Sequence, residues 1–303
     1  MQNVIALIWD FDKTLVNGYM QDPIFEEYSV DAKLFWDEVN AMPESYAKKG
    51  VKINPDTAYL IKFIRSAKAG IFKGLNNAKL RTYGMKQNFY PGIPEFFEKT
   101  LSMFKEDKEC QEFNIRVEHY IVSTGFAEVI RGSKLAQLVE GIWGCELIDS
   151  EDENEDVHII NEIGYTIDNT TKTRAIFEIN KGVNKKNGIG VNAKMDEGQR
   201  RVSFKNMIYI ADGPSDVPAF SLIKKNGGVT FAVYPRGDIK ALNQVELLRR
   251  EERVDFFAES DYTEGTTTYS WLLEKIKFLA SKIIQEEKNK LVISNNGPKH
   301  IVQ

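Results

Sequence analysis

Two carboxylates one residue apart, Asp10 and Asp12, stand directly behind the apolar run Val4-Ile5-Ala6-Leu7-Ile8-Trp9, and Lys13, Thr14 and Leu15 follow. A short, partly β-branched run of this kind reads as a strand buried on both faces, as parallel strands are. In an open parallel sheet, ligands gather beyond the carboxyl ends of the strands. An isolated Asp-x-Asp is an ordinary solvated turn or helix cap. At the end of such a strand, folding alone explains the pair poorly. The two groups could hold a hard cation and attack phosphorus at one place.

Three further pieces follow in order. Ser123-Thr124-Gly125 comes straight after Tyr120-Ile121-Val122. Lys172 opens the helical stretch Thr171 to Lys181. Asp212-Gly213-Pro214-Ser215-Asp216 comes straight after Met207-Ile208-Tyr209-Ile210-Ala211. Each has a plainer reading. Ser123 suits a helix N-cap. Asp212 and Asp216 suit a turn and a cap, since Pro214 and Ser215 fit a helix start. A lysine is usually solvated, and Lys181, Lys185 and Lys186 lie close to Lys172 in the chain.

The elements that must position these groups alternate. Strand-like runs are expected at Val4 to Trp9, His119 to Val122, Met207 to Ala211, Val229 to Val233 and Phe256 to Ala258, with helical patterns between several of them. That alternation predicts an α/β fold, a central parallel sheet flanked by helices with right-handed crossovers. Residues 17–88 differ. Asp31 to Asn40 and Pro55 to Ala69 read as helices, and strand character is slight. Pro91-Gly92-Ile93-Pro94 then punctuates the chain before a helix over Glu95 to Phe104. The expected division is a helical cap at 17–88 inserted into a core made of 1–16 and 89–303. Glu151 to Asp156 reads as a solvated acidic loop, Trp271 to Lys290 as an amphipathic helix packed on the core, and Ser294 to Gln303 as a fraying tail.

With these pieces in this order, the chain resembles the haloacid dehalogenase-like hydrolase superfamily, and within it the phosphoserine-phosphatase-like branch with a C1-type cap. The likeness rests on Asp10-x-Asp12-x-Thr14, Ser123, Lys172 and Asp212-x-x-x-Asp216, and covers roughly 1–16 and 89–235. It implies a Rossmann-like core and Mg²⁺ as cofactor. It also implies that Asp10 attacks phosphorus to form a phospho-aspartate while binding Mg²⁺. Asp12 would protonate the leaving alcohol and later deprotonate the hydrolytic water, its backbone carbonyl being a further metal ligand. Asp212 would be a carboxylate ligand, and Asp216 would hold the metal through a water or brace the shell. Ser123, helped by backbone N–H groups near Thr124 and Gly125, would bind the phosphoryl group, and Lys172 would offset its charge. Where relatives near phosphoserine phosphatase have Ser-Gly-Gly, this chain has Thr124 in the middle. Asp12-Lys13-Thr14 also resembles the Asp-Lys-Thr of cation-pumping ATPases. The required Thr four positions on is met from Asp10 by Thr14, whereas Asp12 leads to Val16.

Composition narrows the classes. The chain has 303 residues, 42% apolar and 28% charged, which is globular rather than disordered. A net charge of -4 argues against a broad nucleic-acid-binding face. Cys110 and Cys145 form no disulfide framework, and His119, His158 and His300 have no zinc spacing. The first apolar run ends at Asp10, far short of the ~20 residues a membrane span needs, and no charged leader precedes it. The expectation is a cytoplasmic enzyme acting on a small phosphorylated metabolite, with no membrane or nucleic-acid partner. A phosphotransferase or phosphomutase with the same aspartyl chemistry is the alternative, then a catalytically silent binding protein; a dehalogenase fits poorly with Asp12. Arg65, Arg81, Trp36 and Tyr83 read as ordinary surface or packing groups of the helical insertion, with specificity the second reading. Oligomeric state is open.

Overall fold

Val4–Trp9 (β1) is buried along its whole length. In the computed structural model, which describes residues 3–150, 158–185 and 188–295, it is the middle strand of a seven-stranded sheet. The other strands are Arg116–Phe126 (β2), Gly141–Asp149 (β3), Ile160–Tyr165 (β4), Met207–Ala211 (β5), Val229–Tyr234 (β6) and Phe256–Glu259 (β7). Their order is β4-β3-β2-β1-β5-β6-β7, parallel except where β4 runs antiparallel to β3. Having a parallel neighbour on each side is why β1 carries no polar face. The α/β expectation holds. β3 and β4 are additions: their burial is mixed, so neither presents a clean apolar run or alternation.

The helices are Asp22–Tyr28 (α1), Ala32–Ala47 (α2), Ala58–Lys68 (α3), Asn77–Thr82 (α4), Glu95–Ser102 (α5), Lys108–Glu112 (α6), Ala127–Arg131 (α7), Lys172–Lys181 (α8), Val217–Lys225 (α9), Ile239–Arg250 (α10) and Thr267–Asn295 (α11). The acidic stretch Glu151 to Asp156, Lys186 and residues 296–303 lie outside the described residues. Side-chain carboxylates and amides start several helices: Asp31, Asn76, Asp107 and Asp238 each accept a backbone N–H from the first turn. Among the described residues, no helix is long and apolar enough to cross a membrane.

α1 to α4 all fall between β1 and β2. At the two ends of residues 17–88, Val16 bridges Phe89 and the Asn17 N–H donates to the Asn88 carbonyl at 2.7 Å. Further on, α4 is docked against α7 and β3. Backbones touch there: a Cβ at Gly132 would lie 1.7 Å from the Arg81 carbonyl oxygen, and one at Gly84 would lie 2.3 Å from the Gly132 carbonyl carbon. Only glycine allows that approach. Arg81 pairs with Glu128 at 2.8 Å, and Trp36 packs between Tyr19 and Tyr59.

One buried polar chain fixes the base of the core. The Trp9 indole N–H donates to His119 Nδ1 at 3.0 Å, so the ring proton sits on Nε2, 2.8 Å from Thr100 Oγ1. Thr100 in turn donates to the Phe96 carbonyl at 2.8 Å. Burial pushes the His119 pKa down to about 3. A depressed histidine contributes stability above its unfolded pKa, and that contribution is lost as pH falls. Between about pH 6.5 and 4, the wild type is therefore expected to lose about 1.4 kcal/mol per pH unit relative to His119→Gln, read from urea midpoints. Parallel pH profiles would contradict the burial argument.

Candidate active site

β1 and β5 run side by side, with Trp9 level with Ile210. The Asp10 N–H donates to the Ile210 carbonyl at 2.9 Å, which ties the first residue after β1 to the neighbouring strand. Asp212 leaves β5 at the same edge. The chain then turns through the 3₁₀ segment Pro214–Asp216, where proline fits the first helical position, and Asp216 is fully buried. As a result, one carboxylate oxygen each of Asp10, Asp212 and Asp216 lies within 4.8 Å of the others.

Lys172 reaches this cluster from the first position of α8. That helix is started by Asp168, whose Oδ1 accepts the N–H groups of Thr170 at 2.9 Å and Thr171 at 2.7 Å. Lys172 Nζ is 2.8 Å from Asp10 Oδ1 and 2.6 Å from Asp216 Oδ1. Burial opposes its charge, but Asp10 and then Asp216 outweigh that and hold its pKa above the usual lysine value. The nearby lysines are engaged elsewhere: Lys181 donates to the Ala193 carbonyl at 2.7 Å, and Lys185 pairs with Glu140. Asp216 is completed by the Tyr209 hydroxyl at 2.6 Å and Ser215 Oγ at 2.9 Å.

Asp12 does not join the three-carboxylate cluster. Its Oδ1 accepts the Met20 N–H at 2.8 Å, in the loop that follows β1. Burial first, then the charge of Asp10, raise its pKa well above the carboxylate range. That is the direction a general acid needs. Burial likewise lifts Asp10 to about 6, although Lys172 pulls it back. Asp212 rises to about 7, through burial and then repulsion from Asp10 and Asp216.

A cavity of about 360 Å³ opens over Asp10, Asp12 and Asp212. Of the Ser-Thr-Gly trio, Thr124 lines it and the others do not. All three lie within β2 rather than in a loop. Ser123 is buried, and its Oγ accepts the Gly125 N–H at 3.0 Å. Gly125 has a packing reason of its own, since a Cβ there would meet Met20 Cε at 2.2 Å. The Thr124 carbonyl accepts the Tyr59 hydroxyl at 2.7 Å.

Sequence reasoning missed several groups. Asp56, Asn169 and Tyr19 line the cavity, and nothing local in the sequence marks them. Lys13 lies in the left-handed region (φ 56°), and its Nζ is 2.6 Å from the Tyr19 hydroxyl. Tyr209 did carry a signal, because a tyrosine in a wholly apolar strand needs a partner for its hydroxyl.

The raised carboxyls set a stability test. A folded-state pKa above the unfolded value contributes stability at low pH, and that contribution is lost as pH rises through the folded pKa. For Asp212 the window runs from the ordinary carboxylate value of 3.8 to about 7. In metal-free buffer, Asp212→Asn should therefore raise the melting temperature at pH 8 and leave it unchanged near pH 4. The cavity admits solvent, so the gain is on the order of 1 kcal/mol. A melting temperature lowered at pH 8 would contradict the repulsion.

No family model matches the chain. A Borreliella burgdorferi protein described as uncharacterized is 38% identical over 288 residues, covering 91% of this chain and 97% of its own. Among solved structures, a HAD family hydrolase from Salmonella enterica subsp. enterica serovar Typhi aligns with a TM-score of 0.50 at 14% identity, over 84% of this chain and 67% of its own. A phosphoserine phosphatase solved as a phospho-aspartyl intermediate analogue aligns at 0.45 with 17% identity, over 83% of this chain and 91% of its own. At such identities the likeness concerns architecture alone. The chain therefore belongs to one family with the Borreliella burgdorferi protein, and its fold is that of the haloacid dehalogenase-like hydrolases.

Proposed function

We propose that the chain is a Mg²⁺-dependent phosphatase that hydrolyses a small phosphate monoester through a phospho-aspartate on Asp10. The observation that carries this reading is a buried lysine holding Asp10 at 2.8 Å while Asp212 and Asp216 converge on the same carboxylate within 4.8 Å. Mutual repulsion within an all-oxygen donor set suits a hard divalent cation. Asp10, Asp212 and the Asp12 carbonyl would hold it, with Asp216 bracing the shell. When bound, Mg²⁺ neutralises charge and polarises a phosphoryl oxygen.

The residues divide the work. The Asp10 carboxylate forms a bond to phosphorus as the bond to the leaving alcohol breaks, and Asp12 gives its proton to that alcohol. Asp12, now ionised, takes a proton from water as the water oxygen attacks the phospho-aspartate. Phosphate leaves and both carboxyls return to their starting states. Lys172 stays protonated throughout and offsets charge on Asp10 and the transferring group. Thr124, with Ser123 and Gly125 behind it, forms the wall for the phosphoryl oxygens. We read 17–88 as a cap: its neck is one bridge wide, and Asp56 from this segment reaches the cavity. Such a lid favours a small metabolite over a macromolecule.

The test is phosphate release from an aryl phosphate and a panel of phosphorylated metabolites. Activity should require Mg²⁺, vanish with EDTA, and fall at least about 10³-fold in Asp10→Asn and Asp12→Asn. Mg²⁺ should raise the melting temperature of the wild type but not of Asp212→Asn. Activity surviving EDTA or Asp10→Asn would overturn the assignment. Transfer to an added alcohol in place of phosphate release would identify a phosphotransferase.

A further inference from the structure

Met20 does not line the catalytic cavity, yet it touches two of the pieces that do. Its N–H donates to Asp12 Oδ1 at 2.8 Å. Among the described residues, no other hydrogen-bond donor reaches the Asp12 carboxyl. A carboxyl can turn about its own side-chain bonds. Held by one donor, it stands where that donor puts it.

The rest of Met20 fixes that donor. Its side chain is fully buried against β2, where Sδ accepts the Phe126 N–H at 3.0 Å. The same side chain lies so close to Gly125 that a Cβ there would meet Sδ at 2.4 Å. The Met20 carbonyl accepts Gln87 Nε2 at 3.1 Å, and that amide also donates to the Tyr83 carbonyl at 3.1 Å. A thioether is a weak acceptor on a flexible side chain, so its hold comes from confinement rather than from bond strength. The backbone it grips is the stretch of β2 directly after Thr124. One residue thus spans the distance between the carboxyl that would protonate the leaving alcohol and the wall that would face the phosphoryl oxygens.

The geometry points to Met20 as the positioning residue for Asp12. The inference rests on the phosphatase reading: it takes Asp12 as the general acid and adds what holds it in place. Met20 touches no substrate and moves no proton. Its side chain anchors the N–H that aims the carboxyl, and a displacement of about 1 Å at a reacting group can cost on the order of 10²-fold in rate. A side chain that merely filled space behind β2 would affect every substrate alike.

The test compares 2,4-dinitrophenyl phosphate with an alkyl phosphate that the wild type turns over. Dinitrophenolate leaves without a proton and an alkoxide does not, so a general acid is worth about 10²–10⁴-fold on the alkyl ester alone. The comparison uses kcat/KM, which reports the steps through departure of the alcohol and not the later hydrolysis, where Asp12 acts as base. Met20→Ala should lower kcat/KM at least about tenfold for the alkyl phosphate and less than about threefold for the dinitrophenyl ester. If that variant does not fold, Met20→Leu, which keeps the volume and loses the acceptor, takes its place. Equal losses on the two esters would overturn the proposal. Asp12→Asn is the reference and should show the same split. If it does not, or if the wild type hydrolyses neither ester, the phosphatase reading fails first. Crystal structures of the wild type and Met20→Leu then decide the anchor alone. An Asp12 carboxyl released from the N–H of residue 20 in the variant supports it, and the same hydrogen bond in both structures overturns it.

Discussion

The ammonium of Lys172, held between Asp10 and Asp216 with almost no access to water, is the interaction on which the arrangement depends. Removing three charges from solvent is costly, and an unmatched charge left behind would cost more. The oxygens are therefore satisfied from several sides, by the amine, the Tyr209 hydroxyl and Ser215. Those groups come from the end of β1, the start of α8, β5 itself and the turn after it. They can meet only if β1 and β5 are neighbours and α8 begins at the same sheet edge. The strand order is thus tied to the charge arrangement.

The same edge holds more negative charge than the lysine can balance. Asp212 is repelled by two neighbours, and burial and the charge of Asp10 push the Asp12 pKa up. A chain selected for stability alone would not collect four carboxyls there. Such electrostatic tension is what the proposed chemistry would draw on. The helical segment deepens this. Asn54 contacts Asp168 at 3.0 Å, Tyr59 contacts Thr124, and Asp56 reaches the cavity, so that segment touches both β2 and the base of α8.

Much of this was legible in the sequence where a local rule applied. β1, β5 and β6 announced themselves as apolar runs, and Asp10, Asp212 and Asp216 as carboxylates beyond such runs. Lys172 was picked out only by resemblance, since a lysine is usually solvated. β3 and β4 were not, because a strand near a sheet edge with mixed burial has no periodic signature. Ser123 suits a helix N-cap from its type, yet β2 continues through it, with its pairing to β3 interrupted between Val122 and Phe126. Asp56 and Asn169 depend on contacts between distant segments, which no window of sequence contains. The division into core and cap was read from where strand character stops, and it stays a reading of the sequence.

The paired glycines where α4 meets α7 have a further consequence. With no side chain between the two backbones, that seam behaves as a zero-clearance joint. Any larger residue at Gly84 or Gly132 acts as a wedge and prises the helical layer away from the sheet. Tyr59 and Asp56 are carried by that layer, so the damage would be transmitted to the mouth of the cavity. A lesion in that seam would then loosen the mouth of the cavity without touching any of the residues that line it.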